Sequence, residues 1–272
     1  MITVFTPTYN RVHTIVRTYE SLERQTCREF EWVIVDDGSS DNTVKVLLEL
    51  KEKASFSMTI QQQENAGKHV AINNGVRLAK GKLFFIVDSD DWLQPDAIAT
   101  IQELVEGLPK YEKYAGVAGV RVNPAGELIG TSFDADYIDC TAFERTKYNI
   151  NGDKAEVYFT DVLRRFPFPT FAGEKFLTES VVWFRIAHEG YKIRWTNKAF
   201  YVCDYQINVC RQLRGNVREI IKAINLLQRK CSPIKNCHSK SVLVSCWLMQ
   251  LFHVKKRRTL RCARMRLDVR AF

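Results

Sequence analysis

Long apolar runs are missing from this sequence. A membrane-spanning helix needs roughly 20 uninterrupted apolar residues, and the nearest stretch, 242–254, is broken by Ser245, Gln250 and His253. No spanning segment is expected. A secretory leader is also missing: Met1 runs straight into ITVFTP, which reads as a strand, so the chain is expected to begin in its fold. The eight cysteines, Cys27, Cys140, Cys203, Cys210, Cys231, Cys237, Cys246 and Cys262, include no Cys-x-x-Cys pair. The spacing of Cys231, Cys237 and His238 is irregular for zinc, and a chain this large needs no disulfide staples. Reduced thiols and a cytoplasmic location are the expectation. There is no internal repeat, no low-complexity segment and no base-reading motif, so nucleic acid is not expected as a partner. Most of the chain also lacks net charge. Of the overall +9, residues 253–272 supply eight Lys and Arg against Asp268 alone, leaving the body nearly neutral.

With 272 residues, 46% hydrophobic and 26% charged, the composition is that of a globular domain with a sizeable core. Residues 83–95, LFFIVDSDDWLQP, look central. The five apolar residues 83–87 are too few for a helix and suit a buried strand. Upstream, residues 2–7, 31–35 and 58–62 read as further strands, each followed by a helical pattern. Gly38 suits a tight turn, and Ser40 or Asp41 can cap the second helix. Strand and helix thus alternate through the first 95 residues, which predicts crossover units on a mostly parallel sheet. In such sheets ligands bind outside the carboxyl ends of the strands. Three polar clusters, residues 8–11, 36–39 and 88–91, fall at those ends and should share one crevice.

Downstream, Pro95 is expected in the first turn of a helix to about residue 108. Residues 115–122 and 127–131 read as a hairpin, and 131–170 has little pattern. A helix capped by Thr178 should run to about residue 188, short strands should occupy 193–195 and 200–203, and the chain beyond 213 should be helical.

Asp88, Asp90 and Asp91 crowd into four positions, where like charges are costly unless a cation or a set of donors is present. A hard metal site accounts for that crowding; capping of the following helix is the plainer alternative. Tyr9 is alternatively core, and Asp36 and Asp37 are alternatively turn residues. Lys68, in a glycine-containing turn, suits either a phosphate contact or solvent. Arg211 and Arg214 suit a closing loop or a solvated face, and Trp92, Trp183 and Trp195 suit either a ring that stacks on a ligand, Trp92 foremost, or the commoner buried packing. His13, His69 and His188 have no nameable partners.

PTYNR, VDDGSSDNT, NAGKHVAINNG and FIVDSDDWLQPD, in that order, resemble the nucleotide-sugar-binding half of the family 2 inverting glycosyltransferases, which have the GT-A fold. GEKFLTESVVWFRIA, residues 173–187, resembles that family's catalytic acid at a helix start. The resemblance implies an α/β fold, a mostly parallel sheet flanked by helices. It divides the chain into a GT-A domain, 1–205, with a donor half, 1–110, and an acceptor side, 111–205, followed by a helical basic extension, 206–272. It assigns Tyr9 and Asp37 to the donor base, and Thr8, Asn10, Arg11, Gly67, Lys68, Asp88 and Ser89 to donor binding. Asp90, with Asp88, would hold Mn2+ or Mg2+, and Glu179 would be the catalytic base. Where the family commonly has Glu-Asp, this chain has Glu179-Ser180, so Glu179 alone can do that chemistry.

The implied reaction moves a sugar from a nucleotide-diphosphate donor, a UDP-sugar foremost, to a saccharide or lipid-linked saccharide of the cell surface. A sugar nucleotidyltransferase and a non-catalytic binding protein are the alternatives. Residues 242–272 combine an apolar face with a cationic helix pattern, as in helices that lie on anionic membranes. Peripheral contact at the inner face of the cell membrane is therefore expected.

Overall fold

A computed structural model of the chain describes residues 1–204. The expected helical extension, 206–272, with Arg211, Arg214 and the membrane-facing stretch, lies outside the described residues. The elements are β1 (Ile2–Thr8), α1 (Ile15–Glu23), β2 (Phe30–Asp36), α2 (Thr43–Lys51), β3 (Ser57–Gln62), α3 (Lys68–Leu78), β4 (Leu83–Ile86), β5 (Trp92–Leu93), α4 (Ala97–Glu106), β6 (Tyr114–Val122), β7 (Leu128–Ile129), β8 (Tyr137–Cys140), β9 (Lys154–Phe159), α5 (Thr160–Arg165), α6 (Ser180–His188) and β10 (Lys192–Val202).

One sheet carries these strands in the order β3-β2-β1-β4-β9-β6-β10-β5, with β7 paired to β6 and β8 to β10 off that path. From β3 to β4 the ladders are parallel, as strand–helix alternation predicts. Successive side chains of a strand point to opposite faces, and here both faces are covered. Ile2 and Val4 of β1 and Trp32 and Ile34 of β2 pack with Ile15, Leu22, Leu47 and Ile98, on the side of α1, α2 and α4. Phe5, Val33 and Val35 pack with Ala71, Ile72, Val76, Val162 and Ile186, on the side of α3, α5 and α6. This two-sided burial explains why β1, β2 and β4 are nearly continuous apolar runs. Phe5 stacks on Phe84 at 5.0 Å, and Gly75 lets α3 press onto the same ring, where a Cβ would lie 2.2 Å from it. Among the described residues no helix is long and apolar enough to cross a membrane.

Beyond β4 the expectations need correction. β9 is central, antiparallel to both β4 and β6, yet its segment shows little pattern. Its polar residues Lys154 and Glu156 are enclosed. Lys154 Nζ donates to the Thr131 carbonyl at 2.8 Å, and Glu156 faces Arg145 at 3.7 Å, so burial there depends on partners distant in sequence. The two short strands near 193 and 200 are one strand, β10, whose polar middle, Thr196 to Lys198, falls at a shift in its pairing with β6. Pro95 precedes α4 instead of lying in its first turn, and Trp92 and Leu93 pair with β10. The hairpin of β6 and β7 is as expected. α6 begins one residue after Glu179, with no side chain bonded as its cap.

The buried lysine gives a test. Lys154 is 2% exposed, and burial, then Arg145 beside it, lowers its pKa to about 8. In the unfolded chain the value returns to about 10.5, so between these values the unfolded state binds more protons and native stability rises with pH. As pH falls through 8 that contribution is lost. Lys154→Met should flatten the rise. Urea denaturation between pH 8 and 10.5 should show wild type gaining on the variant by on the order of 3 kcal/mol.

Candidate active site

The three strands that carry the polar clusters are adjacent and parallel, with Thr8 paired to Asp36 and Phe5 to Ile86. Their carboxyl ends therefore open onto one crevice, and residues 8–11, 36–39 and 88–91 meet there as expected. Loop-to-loop hydrogen bonds lock the first two clusters together. Asn10 adopts a left-handed φ of 53°, and its Oδ1 accepts from the Ser40 and Asp41 N–H groups at 2.8 and 3.3 Å. The Asn10 N–H donates to Ser39 Oγ, and the Arg11 N–H to Thr43 Oγ1, both at 2.8 Å. Asn10 is thus a tie between loops.

Asp37 fastens the third turn to the second. Its N–H donates to the Thr8 carbonyl at 2.8 Å. Its carboxylate accepts from Gln63 Nε2 at 2.7 Å, from the Ala66 and Gly67 N–H groups at 2.8 and 2.9 Å, and from Asn65 Nδ2 at 3.4 Å. A carboxylate offers about four acceptor positions. Any bond from a donor base has to join or displace these. Asp37 therefore shapes the turn that delivers Gly67 and Lys68. Gly67 sits at φ +97°, and a Cβ there would lie 2.1 Å from the Lys175 carbonyl oxygen. Only glycine lets the turn pass beneath the segment that leads to Glu179.

Lys68, the first residue of α3, reaches across the crevice. Its Nζ lies 2.6 Å from Asp88 Oδ1 and 2.8 Å from Glu179 Oε1. Glu179 stands immediately before α6, so two acids 91 positions apart in sequence share one ammonium. Burial works against both charges in the first pair. The carboxylates nevertheless hold the Lys68 pKa above its ordinary value, and Lys68, then Arg121, hold the Asp88 carboxyl below its own.

The crowded acids are sorted by their surroundings. Asp91 is buried and accepts from Tyr201 Oη at 2.8 Å, Cys203 Sγ at 3.4 Å and the Asp204 N–H at 3.3 Å. Burial, and after it Asp88, raises its pKa to about 6. Tyr201 Oη in turn accepts the Asp88 N–H at 2.9 Å. Asp90 is the open acid, its side chain 35% exposed and 3.5 Å from Arg11 Nη2. Ser89 is buried between them. Among the described residues no group of three or more His, Cys, Asp and Glu is arranged to hold a metal. The residues present are the open Asp90 and, two positions earlier, the Lys68-bound Asp88. That donor set fits a hard cation that takes one or two protein carboxylates and phosphate oxygens for the rest.

Tyr9 is 48% exposed at the crevice mouth, which rules out the core alternative. Thr8 is 3% exposed, and its Oγ1 has no hydrogen-bond partner, an uncommon state for a buried hydroxyl. His69, next to Lys68, is 1% exposed with both ring nitrogens unpartnered, and burial lowers its pKa despite Glu174 and Asp37. Arg17 was not singled out from sequence, although its guanidinium stacks over Trp92 at 4.2 Å and pairs with Asp204 at 2.9 Å. Arg121 was also missed. A charged residue inside an otherwise apolar strand was the available signal for it. Trp195 is buried and Trp183 stacks on Tyr158 at 4.1 Å, so both are packing residues.

Comparison with known proteins now decides the family: residues 3–164 match the model of "Glycosyl transferase family 2". The chain belongs to glycosyl transferase family 2. Chondroitin synthase from Escherichia coli is 39% identical over 98 residues, 36% of this chain and 14% of that protein. Hyaluronan synthase from Pasteurella multocida is 34% identical over 139 residues, 49% of this chain and 14% of that protein. The family 2 chain thus spans a small part of the length of these relatives. Among solved structures, S. aureus TarS 1–349 in complex with UDP-GlcNAc superposes with a TM-score of 0.59 at 22% identity, covering 75% of this chain and 58% of that one. The mannosyltransferase PcManGT from Pyrobaculum calidifontis, in complex with GDP-Man and Mn2+, gives 0.61 at 21% identity, covering 93% and 70%. These likenesses show the GT-A fold expected from the motifs.

Gly67→Ala tests the close approach at the turn. The left-handed φ and the clash with Lys175 should together destabilise the protein by about 1–3 kcal/mol. Urea denaturation at neutral pH should show the loss, with Gly126→Ala, whose Cβ would meet nothing within 4 Å, as a comparison for strain at positive φ alone.

Proposed function

We propose that this family 2 chain is an inverting glycosyltransferase that moves a sugar from a UDP-sugar to a hydroxyl of a saccharide or lipid-linked saccharide, in the synthesis of a cell-surface polysaccharide. The observation that carries the proposal is the placing of Glu179 and Asp88 on the same Lys68 ammonium. A candidate base is thereby within two hydrogen-bond lengths of Asp88, one of the two acids expected at the donor diphosphate. The two relatives named above are synthases of glycosaminoglycan chains by their descriptions, and a structural neighbour holds UDP-GlcNAc.

In this proposal Tyr9 lies along the donor base, and Thr8 and the Asp37 turn form the nucleoside end of the site. Asn10, Arg11, Gly67, Asp88 and Ser89 line the rest of the donor site, and Lys68 stands between Asp88 and Glu179. Asp90 would hold Mn2+ or Mg2+ with Asp88 beside it, and a cation bound there would supply charge compensation for a leaving diphosphate. The acceptor hydroxyl attacks the anomeric carbon from the face opposite the diphosphate, and Glu179 removes its proton as the bond forms. One displacement inverts the anomeric configuration. Such a base typically contributes 10²–10⁴-fold. Residues 111–205 supply the acceptor side, and residues 242–272 give peripheral contact with an anionic membrane, which suits a lipid-linked acceptor.

A thermal-shift panel of UDP-, GDP- and dTDP-sugars with Mn2+ tests donor binding. A UDP-sugar should stabilise the wild type, and Asp90→Ala should lose the metal-dependent part of that shift. Glu179→Gln should keep the shift while its release of nucleoside diphosphate falls about 10²–10⁴-fold. Absence of any nucleotide-sugar shift in the wild type, or near-normal turnover in Glu179→Gln, would overturn the proposal.

A further inference from the structure

The Lys68 bridge carries a second consequence, which rests on the transferase function proposed above. Glu179 precedes α6 without capping it, so its carboxylate is not folded back onto the helix's own N–H groups. It points instead across the crevice to Lys68. Lys68, for its part, is anchored at the backbone. The N–H groups of Ala66 and Gly67 are fixed on Asp37, Gly67 is wedged against the Lys175 backbone, and α3 is seated on Phe5 through Gly75. Both Nζ contacts are within the range of charge-assisted hydrogen bonds. Two carboxylates brought this close repel unless a cation stands between them. An ammonium has three donors, and two of them serve Asp88 and Glu179 here.

We propose that Lys68 is a positioning residue for sugar transfer: its ammonium holds the Glu179 carboxylate beside Asp88, and this placing of the base, more than contact with the donor diphosphate, is its contribution to the reaction. Through Asp37 and Gly67, the nucleoside end of the crevice is joined by a continuous set of contacts to the base. A donor that settles on the Asp37 turn finds Glu179 already placed. Glu179 remains the catalytic residue, and Lys68 acts through it.

The two roles separate in the kinetics. With water as the acceptor and a UDP-sugar plus Mn2+ as the probe, release of nucleoside diphosphate is measured for wild type, Lys68→Met, Glu179→Gln and the double variant. Loss of base placement should lower kcat of Lys68→Met about 10²-fold and leave the donor KM within about threefold, because ground-state binding is unaffected. The double variant should be no slower than Glu179→Gln alone, since the base that Lys68 places is then absent. Lys68→Arg, which keeps the charge, should recover part of the lost kcat. A raised KM at unchanged kcat would make Lys68 a diphosphate contact and overturn the proposal, as would single losses that multiply in the double variant. If circular dichroism shows Lys68→Met unfolded, Lys68→Gln takes its place with the same expectations. Donor binding by thermal shift is scored separately. A wild type that binds no nucleotide sugar removes the transferase function itself, whereas a wild type that binds and turns over while Lys68→Met changes only KM removes the positioning role alone.

Discussion

Three carboxylates in four consecutive positions after a buried strand set the terms for everything around them. The repulsion among Asp88, Asp90 and Asp91 is answered differently for each. Asp91 is withdrawn into the fold beneath Tyr201 and Cys203, where burial favours its protonated form. Asp88 stays charged because Lys68 and Arg121 face it. Asp90 is left at the surface near a single guanidinium, that of Arg11. Only an acid in that last condition can accept a hard cation without first giving up a buried partner. The division also explains why one stretch can serve structure and chemistry together. Asp91 keeps the loop in place by accepting from three groups of β10 and the residues after it, so the neighbouring Asp90 is free of that task.

The parallel half of the molecule was legible because its physics is local. Burial on two covered faces makes β1, β2 and β4 rich in apolar residues, with Thr3, Thr6 and Glu31 the buried polar exceptions inside β1 and β2, and turn residues punctuate the strands, so element type and order follow from residues a few positions apart. The three polar clusters at the strand ends followed from the same alternation. β9 was not legible, since Lys154 and Glu156 look like surface residues until Thr131 and Arg145 are placed beside them. β10 looked like two strands because Thr196, Asn197 and Lys198 interrupt an apolar pattern where its pairing with β6 shifts. The Lys68–Glu179 contact was beyond reach for another reason. It joins residues 111 positions apart, and nothing local distinguishes Lys68 from a solvated lysine. Four motifs in order named the family where composition alone could only bound the class. They did not show that the Asp37 carboxylate is already engaged by the turn.

The position of the crevice follows from a change of direction in the sheet. β4 has a parallel neighbour, β1, on one side and an antiparallel one, β9, on the other. Its carboxyl end therefore meets two kinds of loop at once. On the parallel side lie strand-to-helix turns rich in N–H donors and small residues, suited to a nucleoside and its phosphates. Across β9, Val120 of β6 pairs with Lys154, and Val202 of β10 pairs with Val122, so the far ends of β6 and β10 reach the same edge. That is why Arg121, Tyr201 and Cys203 stand behind Asp88 and Asp91, although they belong to the other half of the chain. An all-parallel sheet would have put further strand-to-helix turns there. The far ends of β6 and β10 bring instead a half-buried cation, Arg121, which adds to Lys68 in holding Asp88 ionised, and a phenol, Tyr201, which donates to the withdrawn Asp91. The acids sit at the seam of the two halves, with Lys68 reaching Asp88 from the parallel side and Tyr201 and Cys203 reaching Asp91 from the other.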